Sequence, residues 1–343
     1  MMMKFGTTSL GEEATLYTLE NQNKMVVTLS DFGATLVQVL VPDKEGKIRD
    51  VVLGYEDVTG YEKGEAFFGA TVGRVANRIA KGEFKLNGVN YHLTTNDNGN
   101  NLHSGLNYYN KRMWQVLRKS KEEITFELIS PSGDQGYPGE ATIRVSYHLS
   151  EENELKITYQ AKANEDTLFN MTNHSYFNLE GHQSSDTLSQ EVWLNAQAFT
   201  PIDKALIPTG EISLVKGTPL DFTQAKEVGK EIDADFEQLK LAGGFDHNYV
   251  LEGRGFRKVA SLYSKVTGIK MEVSTDLPGL QFYSGNFIEE EVGKDQVTYQ
   301  KRQGLCFETQ YFPNAVNEQS FNSPILLVGE EYQSTTSFSF QIV

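Results

Sequence analysis

The chain has 343 residues, with 31 Lys and Arg against 46 Asp and Glu, a formal net charge of −15. That acidity excludes a protein that tracks a nucleic-acid backbone, which needs a basic stripe to neutralise phosphates. It also opposes docking on an anionic membrane. Hydrophobic residues at 39% and charged residues at 22% are the proportions of an ordinary folded protein.

No stretch approaches the roughly 18 consecutive apolar residues of a membrane helix. The single cysteine, Cys306, cannot form an internal disulfide. The opening MMMKFGTTSLGEE lacks the apolar run of a signal peptide, so a cytoplasmic location is expected. The sequons at Asn170 and Asn173 therefore read as chance.

In chain order, KMVVTLS, ATLVQVLVP and KIRDVVLGYE read as strands. KGEFKLNGVNYHL reads as a hairpin: Phe84 and Leu86 lead in, Asn87-Gly88 tolerates positive φ, and Tyr91 and Leu93 lead out. EEITFELIS, TIRVSYHLS and ELKITYQAKA alternate apolar and polar residues with period two, so each presents one face to a core. PSGDQGYPGE, Pro131 to Glu140, breaks the first two of these. Helical signal is confined to the segment from Thr223 to Gly244, where Gly229 interrupts it; one or two short helices are expected there. There is no repeat, low-complexity tract or Pro- or Ser-rich linker. The reading is one all-β domain, residues 1–343, a large antiparallel sandwich or barrel rather than a βαβ wind.

The usual nucleotide and nucleophile signatures, G-x-G-x-x-G, G-x-x-x-x-G-K-[ST] and G-x-S-x-G, are absent, and no H-E-x-x-H or H-x-H spacing asks for a metal. No cofactor is expected. Cys306, between Leu305 and Phe307, reads as a buried inert thiol. Of six histidines, His92 and His148 fall on the polar phase of strands, and His182 in EGHQSSD reads as surface. His103, His174 and His247 sit in Asn- and Gly-rich surroundings.

Four segments depart from this pattern: GRVANRIAKG (73–82), NDNGNNLHSG (96–105), TNHSYFNLEG (172–181) and GLCFETQYFPNAVN (304–317). They carry His, Arg, Asn and Glu beside aromatic rings. A core strand has little reason to hold such groups, because an unpaired buried polar group costs about 1–3 kcal/mol. A sugar site does: hydroxyls need donors and acceptors, and C–H faces need apolar walls.

These segments, with GGFDHNYVL and PGLQFYSGN, are similar in order to the motifs of the aldose 1-epimerase family, the galactose mutarotases. The resemblance spans nearly the whole chain. It implies a large antiparallel β-sandwich of the galactose mutarotase-like supersandwich type, with a sugar cleft on one face. It implies cofactor-free interconversion of the α and β anomers of hexoses such as galactose and glucose. That chemistry needs one acid and one base that exchange roles, which imidazole and carboxylate suit.

By resemblance, His174 is the acid that protonates the ring oxygen and Glu308 the base that takes the anomeric proton. His103 supports the ring oxygen, Asn77 and Arg78 bind hydroxyls, Asp246 grips hydroxyls, and Gln281 makes a polar contact at the cleft. No metal ligand is implied. The partner expected is a monosaccharide, with the chain a monomer or homodimer. Competing readings pair Glu308 with Arg302 or Lys301, pair Arg78 with Glu83 or Asp97, and hold His174 in the core beside Asn173. A glycoside hydrolase would need two carboxylates, with Asp246 the partner of Glu308. A non-catalytic sugar-binding module would bind without turnover. A sugar-phosphate mutarotase would use extra cations, for which Arg74, Arg78 and Lys81 are available.

Overall fold

Alternation is the rule that builds this molecule. The structure, a computed structural model, describes residues 2–343. In the strands Glu123–Ser130, Ala141–Leu149 and Glu154–Ala163, Ile124, Phe126, Ile143, Val145, Tyr147, Leu155, Ile157 and Tyr159 are buried, and most of the residues between them are at least partly exposed. The expected hairpin forms with Leu86 opposite Val89 and Asn87-Gly88 at its tip, both at positive φ. PSGDQGYPGE makes the break between the first two strands.

Among the described residues three large antiparallel sheets result, with five two-stranded ones. The first is a five-stranded meander, Met2–Thr7, Glu13–Glu20, Val26–Ser30, Thr35–Pro42 and Ile48–Asp50. The second has nine strands and is centred on Glu154–Ala163, Tyr332–Ile342 and Ile269–Thr275. The third has six, ordered Tyr176–Phe177, Leu305–Gln310, Gly279–Tyr283, Asp246–Val250, Ala198–Phe199 and Ser213–Leu214. The six-stranded sheet lies on the nine-stranded one: the Phe177 and Phe338 rings are 4.9 Å apart, and Leu280, Phe282, Leu305 and Phe307 share a core with Met271, Val273 and Phe340. Each fully buried Leu, Val or Phe side chain contributes about 1.5–3 kcal/mol.

The helices are minor. Glu237–Ala242 lies within the expected 223–244 segment and ends at Gly243 in the left-handed region, a frequent helix stop. A second helix, Val58–Lys63, was not foreseen. Asp57 caps it by accepting from the Gly60 amide, but six residues are too few for a periodic pattern to register.

One reading fails. His182 is not a surface residue: it is 4% exposed, its Nδ1 is 2.9 Å from the Tyr299 hydroxyl, and its Nε2 is 3.3 Å from Asp295 Oδ2. Its polar sequence neighbours form a turn, and the 293–299 segment covers the ring. The two sequons fall on buried asparagines that brace the backbone. Asn170 accepts from the Tyr311 amide, and Asn173 accepts from the Ser175 amide and hydroxyl.

Candidate active site

The outer face of the six-stranded sheet is built by the same alternation that builds its inner face. In Leu305–Gln310, Leu305 and Phe307 point to the core, so Cys306, Glu308 and Gln310 point away. Register then aligns Glu308 with Gln281 and Gln281 with Asn248, while Tyr283 lies between Cys306 and Asp246. These polar residues stand side by side on one face, and their amides interlock. Gln310 Nε2 donates to Asn248 Oδ1 (3.1 Å) and Gln281 Oε1 (3.2 Å), and Gln281 Nε2 donates to Asp246 Oδ1 (2.6 Å). Gln281 thus stands behind Asp246 and orients its carboxylate; it is not among the residues that line the pocket.

Loops complete the site from the other side. His174 ends the strand Thr172–His174, paired with Ala70–Val72. The Asn-rich segment before His103 is a loop tied by its own side chains: Asn96 exchanges hydrogen bonds with Leu102, Asn101 donates to the Thr94 carbonyl, and Asn100 accepts from the Lys81 amide. Ser104 Oγ accepts from the Val75 amide, joining this loop to GRVANR. The Asn77 amide donates to His103 Nδ1 at 3.0 Å, which leaves Nε2–H as the donor of the neutral His103 ring.

The result is a pocket of about 450 Å³, of a size suited to a small ligand. Asn77, Arg78, His103, His174, Asp246 and Glu308 all line it, together with Phe67, Tyr176, Tyr283 and Phe287. His174 Nε2 is 3.7 Å from Glu308 Oε1, and His174 Nδ1 is 3.6 Å from Cys306 Sγ. Glu308 makes no pair with Lys301 or Arg302; Arg302 pairs with Asp233 instead. Arg78 does bind Asp97, through Nε at 2.7 Å, while remaining in the pocket wall. Arg74 is fully buried and donates to the carbonyls of Ser130, Pro138 and Gly139, so it is not a ligand-facing cation.

Burial dominates the electrostatics. It raises the Glu308 carboxyl well above the usual range; the Asp246 charge adds to this and Arg78 opposes it. Burial lowers His174 to about 4, partly offset by a backbone hydrogen bond. It holds His103 well below its ordinary value, helped by the charges of His174 and Arg78, and it raises Asp246. Cys306 is likewise kept as a thiol by burial. Glu308 Oε2 has no hydrogen-bond partner, so a buried acceptor is left for a ligand to satisfy.

His103, His174 and Glu308 place potential ligand atoms within 4.8 Å of one another. A tetrahedral zinc site needs neighbouring ligand atoms about 3.4 Å apart. The 3.7 Å between His174 and Glu308 exceeds that, and His103 Nδ1 is already engaged. The trio fits proton transfer to a bound hydroxyl better than a closed metal site. Sequence reasoning did not single out the aromatic walls Phe67, Tyr176, Tyr283 and Phe287 or the carboxylates Glu65, Glu289 and Glu291. Of these only Tyr176 carried a signal, two positions after His174 along a strand-like run.

A larger cavity, about 750 Å³, opens beside the first sheet and is lined by Lys47, Arg49, Asp50, His182, Lys294 and Asp295 among others. Size does not make it the site, because its buried charges are already paired. Lys294 Nζ donates to Asp50 Oδ2 (2.6 Å) and to the carbonyls of Val37 and Val52.

Comparison with known proteins agrees with the fold. The family model for aldose 1-epimerase matches residues 15–339. A galactose mutarotase from Bos taurus is 41% identical over 340 residues, covering 98% of this chain and 97% of its own. The aldose 1-epimerase of Escherichia coli K12 is 37% identical, covering 96% of each chain. The crystal structure of an aldose epimerase homologue from C. elegans superposes with a TM-score of 0.90 at 31% identity, covering 96% of this chain and 99% of that one. With a family model matching residues 15–339 and a relative 41% identical over nearly the whole length, this chain belongs to the aldose 1-epimerase family.

Proposed function

We propose that this protein is a mutarotase that interconverts the α and β anomers of free hexoses such as galactose and glucose. The observation that carries the reading is the 3.7 Å approach of His174 Nε2 to Glu308 Oε1 inside a pocket that admits a pyranose. Glu308 takes the proton of the anomeric hydroxyl as the bond from C1 to the ring oxygen breaks, and the ring oxygen takes a proton from His174. The aldehyde rotates about C1–C2. On reclosure His174 recovers its proton from the chain hydroxyl, and Glu308 returns one to the anomeric oxygen.

The two groups thus share one proton throughout. With the sugar ring closed, the proton sits on His174 and Glu308 is ionised. With the sugar open, it has moved to Glu308 and the imidazole is neutral. Burial favours the neutral arrangement in the empty pocket, since it raises Glu308 and lowers His174. Sugar hydroxyls donating to the carboxylate favour the ionised one. His103 supports charge on the ring oxygen, and Asn77, Arg78 and Asp246 hold hydroxyls, with Gln281 fixing Asp246.

A sugar-phosphate substrate is the weaker reading. Glu65, Asp246, Glu289, Glu291 and Glu308 line the pocket against one guanidinium, Arg78, which Asp97 already engages. The reading as one domain is supported by a core that draws on residues from Tyr17 to Phe340. Among the described residues no helix is long and apolar enough to cross a membrane. The lone cysteine, a buried free thiol, suits the proposed cytoplasmic location.

Polarimetry on freshly dissolved α-D-galactose and α-D-glucose, with a chelator present, tests this. Relaxation well above the buffer rate is expected for both. Relaxation at the buffer rate despite bound sugar would leave only a binding protein, and loss of activity on chelation would mean that the trio holds a metal.

A further inference from the structure

Phe67 lines the catalytic pocket with φ +58°. Among the described residues it is the only Phe, Tyr or Trp in the left-handed region, where a bulky side chain is strained. Both flanks enforce this. On one side the Lys111 ammonium donates to the carbonyls of Tyr61, Glu62 and Gly64. On the other, the buried Phe68 ring packs on Tyr55 and Tyr176, and the Gly69 amide donates to the His174 carbonyl at 3.1 Å. Glycine would adopt the same backbone without strain. A large ring kept at such a position, beside the reacting groups, calls for a function.

The ring contacts suggest which one. The Phe67 ring stacks on the His174 imidazole at 5.8 Å and 25°, and Tyr176 stacks on it at 5.0 Å and 30°. Phe67 also meets His103 edge-on at 4.9 Å and Tyr108 at 5.1 Å. We propose that Phe67 is a positioning residue, held in a strained backbone so that its ring clamps the His174 imidazole against Tyr176 with Nε2 directed at Glu308. This rests on the mutarotase reading. Without the clamp the imidazole can tilt out of its plane, and small misplacements of a reacting group are costly in rate.

The test compares wild type with Phe67→Gly, Phe67→Asn and Phe67→Tyr by polarimetry on galactose and by thermal melting. Gly and Asn tolerate the backbone, so their melting temperatures should equal or exceed that of the wild type, while kcat falls about 10- to 100-fold with KM little changed. Tyr keeps the ring and should keep kcat. Four results would each overturn the proposal: Gly and Asn variants that melt several degrees lower or fail to fold, wild-type kcat in the Gly variant, a rise in KM alone, or a Tyr variant as slow as the Gly variant. If the wild type itself left galactose at the buffer rate, the functional reading would fail; the melting comparison would still decide whether residue 67 is strained.

Discussion

The protein holds two polar cavities with buried histidines, and they differ in how completely their polar groups are satisfied. Beside the first sheet, Lys294 spends its donors on Asp50 and two carbonyls, and both nitrogens of His182 have partners. In the proposed catalytic pocket, Glu308 Oε2 has none, and His174 has a carboxylate at 3.7 Å and a thiol at 3.6 Å as polar neighbours. The first arrangement is what stability asks of buried charge. The second leaves hydrogen bonds unmade until a ligand arrives. Between these two cavities, the unsatisfied carboxylate and not the volume distinguishes the candidate site, since the better-satisfied cavity is also the larger.

The contrast predicts that variants of the two cavities fail in opposite ways. His174→Asn should have the largest effect, a loss of about 10²- to 10⁴-fold in kcat with an unchanged melting curve; steady-state polarimetry and calorimetric melting check both. Lys294→Met should do the reverse. It leaves Asp50 as an unpaired, largely buried carboxylate, which costs about 3–5 kcal/mol of stability, while kcat at low temperature stays near wild type. A stable but inactive Lys294→Met protein would erase the distinction. Arg78→Ala comes next. Loss of hydrogen bonds from a charged donor, about 1.5–3 kcal/mol, should raise KM for galactose roughly 10- to 100-fold with a smaller change in kcat.

The smallest effect is a profile. The one-proton pair gains a second proton when the pH falls through the His174 value of about 4, which leaves no base. It loses its proton when the pH rises through the elevated Glu308 value, which leaves no acid. kcat/KM should therefore show an acid limb near pH 4, where His174 gains its proton, and an alkaline limb where the raised Glu308 loses its own. A limb near 6.5, the value of an ordinary imidazole, would show that His174 is not desolvated.

Much of this was legible in the sequence because strands write their faces with period two. The alternation in EEITFELIS, TIRVSYHLS and ELKITYQAKA already separated a core face from an outer face, as the strands there show. What alternation leaves out is which strands meet. Nothing local in TNHSYFNLEG says that His174 faces a carboxylate 134 positions later, a pairing that came from the family resemblance; the Tyr176–Cys306 pairing that brings the two runs together has no local signature. His182 was misread for the same reason, because polar neighbours do not reveal a covering segment more than a hundred residues away. Phe67 left no trace at all, since a dihedral angle fixed by contacts on both flanks has no signature in AFFGA.

The account stands on Glu308 as the proton acceptor, and Glu308→Gln addresses it most directly because it keeps size and hydrogen bonding while removing the base. Polarimetry on α-D-galactose with calorimetric binding in parallel should show mutarotation at or near the buffer rate, with galactose bound within a few-fold of wild-type affinity. Mutarotation at the wild-type rate would contradict it, and the base would have to be sought elsewhere in the pocket.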